Sequence, residues 1–114
     1  MNVGFDGLLR TEATFETINP IAEGTLVKIS GNGIVDKAVN EEFNGIVTKD
    51  EDRFVSVQIK GYMEVSYDGD APAYGRAHIK STSDANAVTV SETDGVEVTV
   101  LYVDTVNSVV GFIL

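Results

Sequence analysis

Arg53–Tyr67 reads RFVSVQIKGYMEVSY. Val55, Val57 and Ile59 alternate with Ser56, Gln58 and Lys60, the two-residue period of a strand with one face buried and one wet. Gly61 interrupts the pattern, and Met63, Val65 and Tyr67 then alternate with Tyr62, Glu64 and Ser66. A glycine inside a strand pattern marks a bulge or a sharp bend. The stretch therefore predicts one long bent strand, or two strands meeting at a corner, as a small barrel requires. It carries no chemistry of its own.

Outward from this stretch the same signals recur. Towards the N-terminus, Thr11–Thr17 sets Ala13 and Phe15 against Glu12, Thr14 and Glu16, and Asn19-Pro20 ends it. Glu23-Gly24 reads as a turn. Thr25–Ser30 and Ile34–Val39 form a hairpin around Gly31-Asn32-Gly33. Asn40–Asn44 reads as a single helical turn or a loop, and Gly45–Thr48 as a short strand. Towards the C-terminus, Asp68–Gly75 is a loop, Arg76–Ser81 a strand, and Thr82–Ala87 a loop. Val88–Ser91 and Val96–Tyr102 flank Asp94-Gly95, which predicts a hairpin. The last segment, Val103–Leu114, turns at Asn107-Ser108 and closes on Val110, Phe112 and Leu114. No linker, repeat or low-complexity segment is visible. The pattern predicts an all-β fold with little or no helix: one small β-barrel or β-sandwich over residues 21–114, preceded by an N-terminal arm and first strand over residues 1–20.

Composition narrows the function. The chain has 114 residues, 43% of them hydrophobic, enough for one core. Eight Lys and Arg stand against 18 Asp and Glu, a formal net charge of −10. The cations (Arg10, Lys28, Lys37, Lys49, Arg53, Lys60, Arg76 and Lys80) are dispersed, which argues against nucleic acid and against anionic membranes as partners. There is no cysteine, so disulfides and thiolate metal sites are excluded. The N-terminus lacks the pattern of a signal peptide and no apolar run reaches the length of a membrane span.

The search for catalytic or cofactor chemistry yields no assigned residue. Asp50, Glu51 and Asp52 lie in the charge run KDEDR, and Asp68 and Asp70 in a Pro/Gly loop. Either group could offer oxygen ligands to a hard cation, but carboxylates in strand-linking turns more commonly face water, beside counterions such as Lys49 and Arg53. His78 is the single histidine, on the wet parity of its strand between Arg76 and Lys80. No phosphate loop, nucleophile elbow or zinc-protease motif is present. No catalytic, cofactor-binding or metal-ligating residue is therefore expected, and the chain is read as a non-enzyme. Met1–Arg10 mixes Val3, Phe5, Leu8 and Leu9 with two glycines and no clean period. It either covers a barrel end or serves as an arm that docks on a partner, with Val3, Phe5, Leu8, Leu9 and Phe15 as the contact residues.

The runs Glu23–Ala38 (EGTLVKISGNGIVDKA), Phe43–Val47 (FNGIV), Val55–Gly61 (VSVQIKG) and Val100–Leu114 (VLYVDTVNSVVGFIL, with Asp104 near its middle) together resemble the small β-barrel capsid decoration, or cement, proteins of tailed phages and prophages. The resemblance covers Ile21–Leu114. It implies a structural virion protein that is made in the host cytoplasm, binds the major capsid protein on the outside of the mature shell, often as a homotrimer, and stabilises that shell without cofactors. The alternatives from other classes are a carbohydrate- or ligand-binding module of a tail or fibre, with Tyr62, Tyr74 and Tyr102 stacking on sugars, and a small β enzyme acting on nucleotides. The dispersed cations argue against the latter.

Overall fold

A computed structural model describes residues 10–114. Its described residues form ten strands: β1 Thr11–Thr17, β2 Leu26–Gly31, β3 Ile34–Lys37, β4 Gly45–Glu51, β5 Phe54–Lys60, β6 Tyr62–Tyr67, β7 Gly75–Ser81, β8 Ala87–Val90, β9 Val96–Asp104 and β10 Val109–Ile113. No helix is present among them, and Asn40–Asn44 is a loop. The all-β class holds.

The strands close into two five-stranded barrels, ordered β1-β3-β2-β4-β5 and β10-β6-β8-β7-β9. Their connectivity is the same. In each, the first strand runs parallel to the third (β1 with β3, β6 with β8) and antiparallel to the fifth, and the remaining neighbours are antiparallel. The likeness reaches single residues. The fourth strand bulges one residue past a valine in both, at Thr48 after Val47 and at Leu101 after Val100. The first strand ends on the same backbone bond, Thr17 N to Arg53 O and Tyr67 N to Ser108 O. The chain is thus an internal repeat, although its residues show none. A closed barrel requires only inward apolar positions and turns at suitable intervals, which different residues satisfy equally well.

The corner at Gly61 joins the two barrels. Its φ of 101° lies where a side chain would be strained, so β5 ends the first barrel and β6 begins the second. Gln58 departs from its expected place on the wet face: it is 3% exposed. The ladder between β1 and β5 bulges between Gln58 and Lys60, which turns Gln58 inward and leaves Ile59 half-buried. The Gln58 side-chain amide donates to Lys60 O at 3.1 Å and to Tyr62 O at 2.8 Å, tying the corner together. A buried amide is tolerated where its N–H groups are satisfied, here by the two backbone carbonyls at the bend.

The hairpin predicted at Asp94-Gly95 does not form. β7 lies between β8 and β9 and pairs with both. Gly95 still needs its freedom: its φ is 98°, and a Cβ there would fall 2.5 Å from Ile79 O. The chain does bend at Glu92–Gly95, but local residues do not reveal that a third strand fills the gap.

The cores are unequal. Ile21, Val27, Val35, Val47, Val55 and Val57 fill the first barrel, with Phe15 and Ile59 packed against them. The second core, built on Met63, Val65, Tyr67, Ile79, Val88, Val98, Val100, Val110 and Phe112, also contains Leu26, Ala38 and Phe43 from the first half. Phe43, fully buried, meets Phe112 edge to face at 6.1 Å between ring centroids. The two phenylalanine rings fill the second core. Main-chain bonds hold the barrels together here: Leu26 N to Ala85 O at 2.7 Å, and Ser81 N to Glu41 O at 3.0 Å. The buried Ser81 hydroxyl meets the carbonyl oxygens of Ala38 and Glu41.

Candidate functional site

Two regions of the surface carry features that folding does not consume. The first is the outer edge of β1. On one side β1 pairs with β5 along its length, from Thr11 to Glu16. On the other it meets β3 only at Glu16 and Thr17. Thr11–Phe15 therefore run past the start of β3, and among the described residues no strand pairs with that edge. Glu12 is held by the Thr48 hydroxyl, which donates to its carboxylate at 2.6 Å. Phe15, one of the expected contact residues, is half-buried against the first core, so its ring is engaged in packing. Val3, Phe5, Leu8 and Leu9 lie outside the described residues.

The second region is the outer face of β6, β10 and β9. Gly111 on β10 sits between Glu64 on β6 and Tyr102 on β9. The Tyr62 ring lies across it: a Cβ at Gly111 would fall 2.0 Å from the Tyr62 hydroxyl oxygen. That hydroxyl donates to Glu64 Oε2 at 3.0 Å. Burial and the neighbouring Glu64 carboxylate hold the Tyr62 phenol well above its usual range. Tyr102, 41% exposed, stands two residues before Asp104 on β9. The Asp104 carboxylate takes the Asn107 side-chain amide at 2.9 Å and the backbone N–H groups of Val106 and Asn107. These bonds, that of the Asn107 side chain first, hold its carboxyl below the usual carboxylate range.

Cross-strand packing thus accounts for Tyr62, and Tyr102 stands beside it. Tyr74, 72% exposed, sits in the β6–β7 loop, where Gly75 pairs with Val100. Gly111 was not singled out in the sequence, yet a signal was present: a glycine inside an apolar strand commonly marks close approach of another group.

The remaining expected positions fall on turns and wet faces. Asp50, Glu51 and Asp52 are exposed at the β4–β5 turn, with Glu51 paired to Lys49 at 2.9 Å and Asp50 accepting the Asp52 N–H. Asp68 and Asp70 are exposed in their loop. Among the described residues, no group of three or more His, Asp or Glu side chains is placed to hold a metal ion. His78 lies 3.6 Å from Glu97 Oε2, and Arg76 reaches the other oxygen at 3.0 Å. His78 also lines a shallow depression of about 280 Å³ with Glu92, Thr93, Asp94 and Gly95. Of its other polar groups, Asp94 is already engaged: the Ser91 hydroxyl donates to it, and its carboxyl is held low chiefly by that bond.

Comparison with protein-family models gives no match, and comparison with curated proteins gives none either. The functional reading therefore rests on the residues and their geometry.

Proposed function

We propose that this chain is a non-enzymatic structural protein that binds the outer surface of a tailed-phage capsid and stabilises the shell. Its partner in this reading is the major capsid protein, and its working form is a homo-oligomer, with a trimer favoured. The observation that carries the reading is the half-open edge of β1. An unpaired strand edge invites non-native pairing in an isolated protein and serves as a joint in an assembly. Here it is continuous with an apolar N-terminal segment that contains Val3, Phe5, Leu8 and Leu9. The resemblance of Ile21–Leu114 to capsid decoration proteins supports the same reading. So does the fused pair of barrels: each closed barrel turns one face of its strands outward, which suits a part that reinforces a surface.

The test is co-sedimentation of the purified chain with expanded, undecorated capsids from its own source, with light-scattering mass of the free protein in parallel. Saturable binding at a fixed ratio to the shell subunit is expected, together with a trimeric mass. Removal of Met1–Arg10 should leave the melting temperature nearly unchanged and abolish binding. Absence of binding by the intact chain to mature shells would overturn the proposal, and full binding by the truncated chain would overturn the role of the arm.

A further inference from the structure

Charge is divided unevenly between the two barrels. Six of the eight Lys and Arg residues (Arg10, Lys28, Lys37, Lys49, Arg53 and Lys60) lie before Gly61, and the other two, Arg76 and Lys80, are on β7. β6, β9 and β10, which read YMEVSY, VEVTVLYVD and VVGFI, contain none. The surface-facing Glu64 and Asp104 have no Lys or Arg within ion-pair distance among the described residues; the ion pairs of the second barrel lie on β7, with Glu97 and Asp94. A carboxylate without a counterion is unremarkable on an open surface. Here, however, two of them border a laid-down aromatic surface whose flatness comes from Gly111. Tyr62 covers the glycine and donates to Glu64, and Tyr102 flanks it on β9, two residues before Asp104.

We propose that this outer face of β6, β10 and β9 is a docking surface for an arginine side chain presented by a protein partner. The chemistry favours arginine on three grounds. A guanidinium stacks on a tyrosine face and is attracted by its ring quadrupole. Its planar fork can pair with a carboxylate lying at the edge of the same ring, which a point-like ammonium does less well. Phosphate-bearing partners, whether nucleic acid or lipid, are repelled by a face with two carboxylates and no cation. The Tyr62 phenol orients Glu64, and the Asn107 amide with the backbone N–H groups of Val106 and Asn107 orients Asp104, so less conformational freedom is lost when the cation arrives. The inference does not depend on the capsid role, because it concerns a different face from the β1 edge and its test needs no shell.

The experiment is titration of the full-length, ¹⁵N-labelled chain with hexa-arginine, and separately with hexalysine and a neutral oligosaccharide, followed by two-dimensional amide spectra. Saturable shifts are expected at Tyr62, Glu64, Tyr102 and Gly111, with tighter binding of hexa-arginine than of hexalysine. Glu64→Gln and Tyr102→Ala should each weaken hexa-arginine binding about three- to fivefold. The double variant Asp50→Asn/Asp52→Asn removes more charge from the distant β4–β5 turn and should leave the affinity within about twofold. Melting curves establish that each variant is folded. The proposal is overturned if the shifts spread evenly over exposed carboxylates, if the turn variant weakens binding as much as Glu64→Gln, if the two peptides bind alike with Tyr102→Ala unchanged, or if only the oligosaccharide moves these resonances.

Discussion

Phe43→Ala tests how the two barrels are joined. Phe43 is fully buried and lies in a loop of the first half, yet it fills the second barrel against Phe112. Truncation of a buried phenylalanine costs about 3–5 kcal/mol, of which the lost edge-to-face pair accounts for about 0.5–1.5 kcal/mol. For a chain of this length that lowers the melting temperature by about 4 °C per kcal/mol, or about 12–20 °C in total. The loss should be uneven. Phe43 is no part of the core of Ile21, Val27, Val35, Val47, Val55 and Val57, so the second barrel should open first. Native-state hydrogen exchange would then show protection falling by about two to four orders of magnitude in β7, β9 and β10, with smaller losses in β4 and β5. Urea unfolding supplies the total, and a Phe43→Ala/Phe112→Ala cycle supplies the coupling of the pair. A total below about 1 kcal/mol, or an equal loss of protection in both barrels, would refute the view that the first half completes the second core.

Four further outcomes follow from the geometry. Gly95→Ala combines a φ of 98° with a Cβ placed 2.5 Å from Ile79 O; it should cost about 2–4 kcal/mol in urea unfolding, whereas Gly33→Ala, with φ 68° and nothing near its Cβ, should cost about 1 kcal/mol. Gln58→Leu removes both bonds to the corner carbonyls and should destabilise by about 1–3 kcal/mol, a change that chemical denaturation would measure. Tyr62 gives a pH signature: its folded phenol lies above the ordinary value of 10.0, so its contribution is whole below pH 10 and is lost as pH rises through the folded value. Tyr62→Phe should flatten that alkaline decline, and an unchanged alkaline limb in the variant would refute the assignment. At the acid end, the lowered carboxyls of Glu41, Asp94 and Asp104 contribute stability above the ordinary carboxylate range that is lost as pH falls through their folded values. Asp104→Ala should reduce the slope of melting temperature against pH below about pH 4.

Several features were legible in the residues because they are local. Alternation in Val55–Ile59 and Met63–Tyr67 identifies two strands, and Gly61 identifies the corner between them. Gly31-Asn32-Gly33 and Asn107-Ser108 both lie where the chain turns; Gly33 and Ser108 take the positive φ that such turns demand. Val110 and Phe112 are fully buried as their parity requires. Other features depend on partners distant in the chain. Gln58 has the composition of a wet-face residue, and only the bulge at Ile59 and the carbonyls of the bend turn it inward. Phe43 sits in a polar run, NEEFN, and nothing there announces the second barrel as its destination. The Asp94-Gly95 turn looks the same whether its flanking strands pair with each other or with β7 between them. At the candidate surface, Tyr62 and Tyr102 were visible as aromatics, but their joining across Gly111 required the register of three strands.

The order of polar and apolar residues, with glycine, proline and asparagine between them, was sufficient to determine an all-β chain, its strand positions and the absence of long helices. Each of those properties is set by a side chain's own preference and its nearest neighbours along the backbone. The division into two barrels, the unequal cores and the tyrosine–carboxylate face arose from pairing between residues tens of positions apart. A period of two states which face of a strand is buried but is silent on which strand lies beside it, so closure and register were chosen by packing across the whole chain.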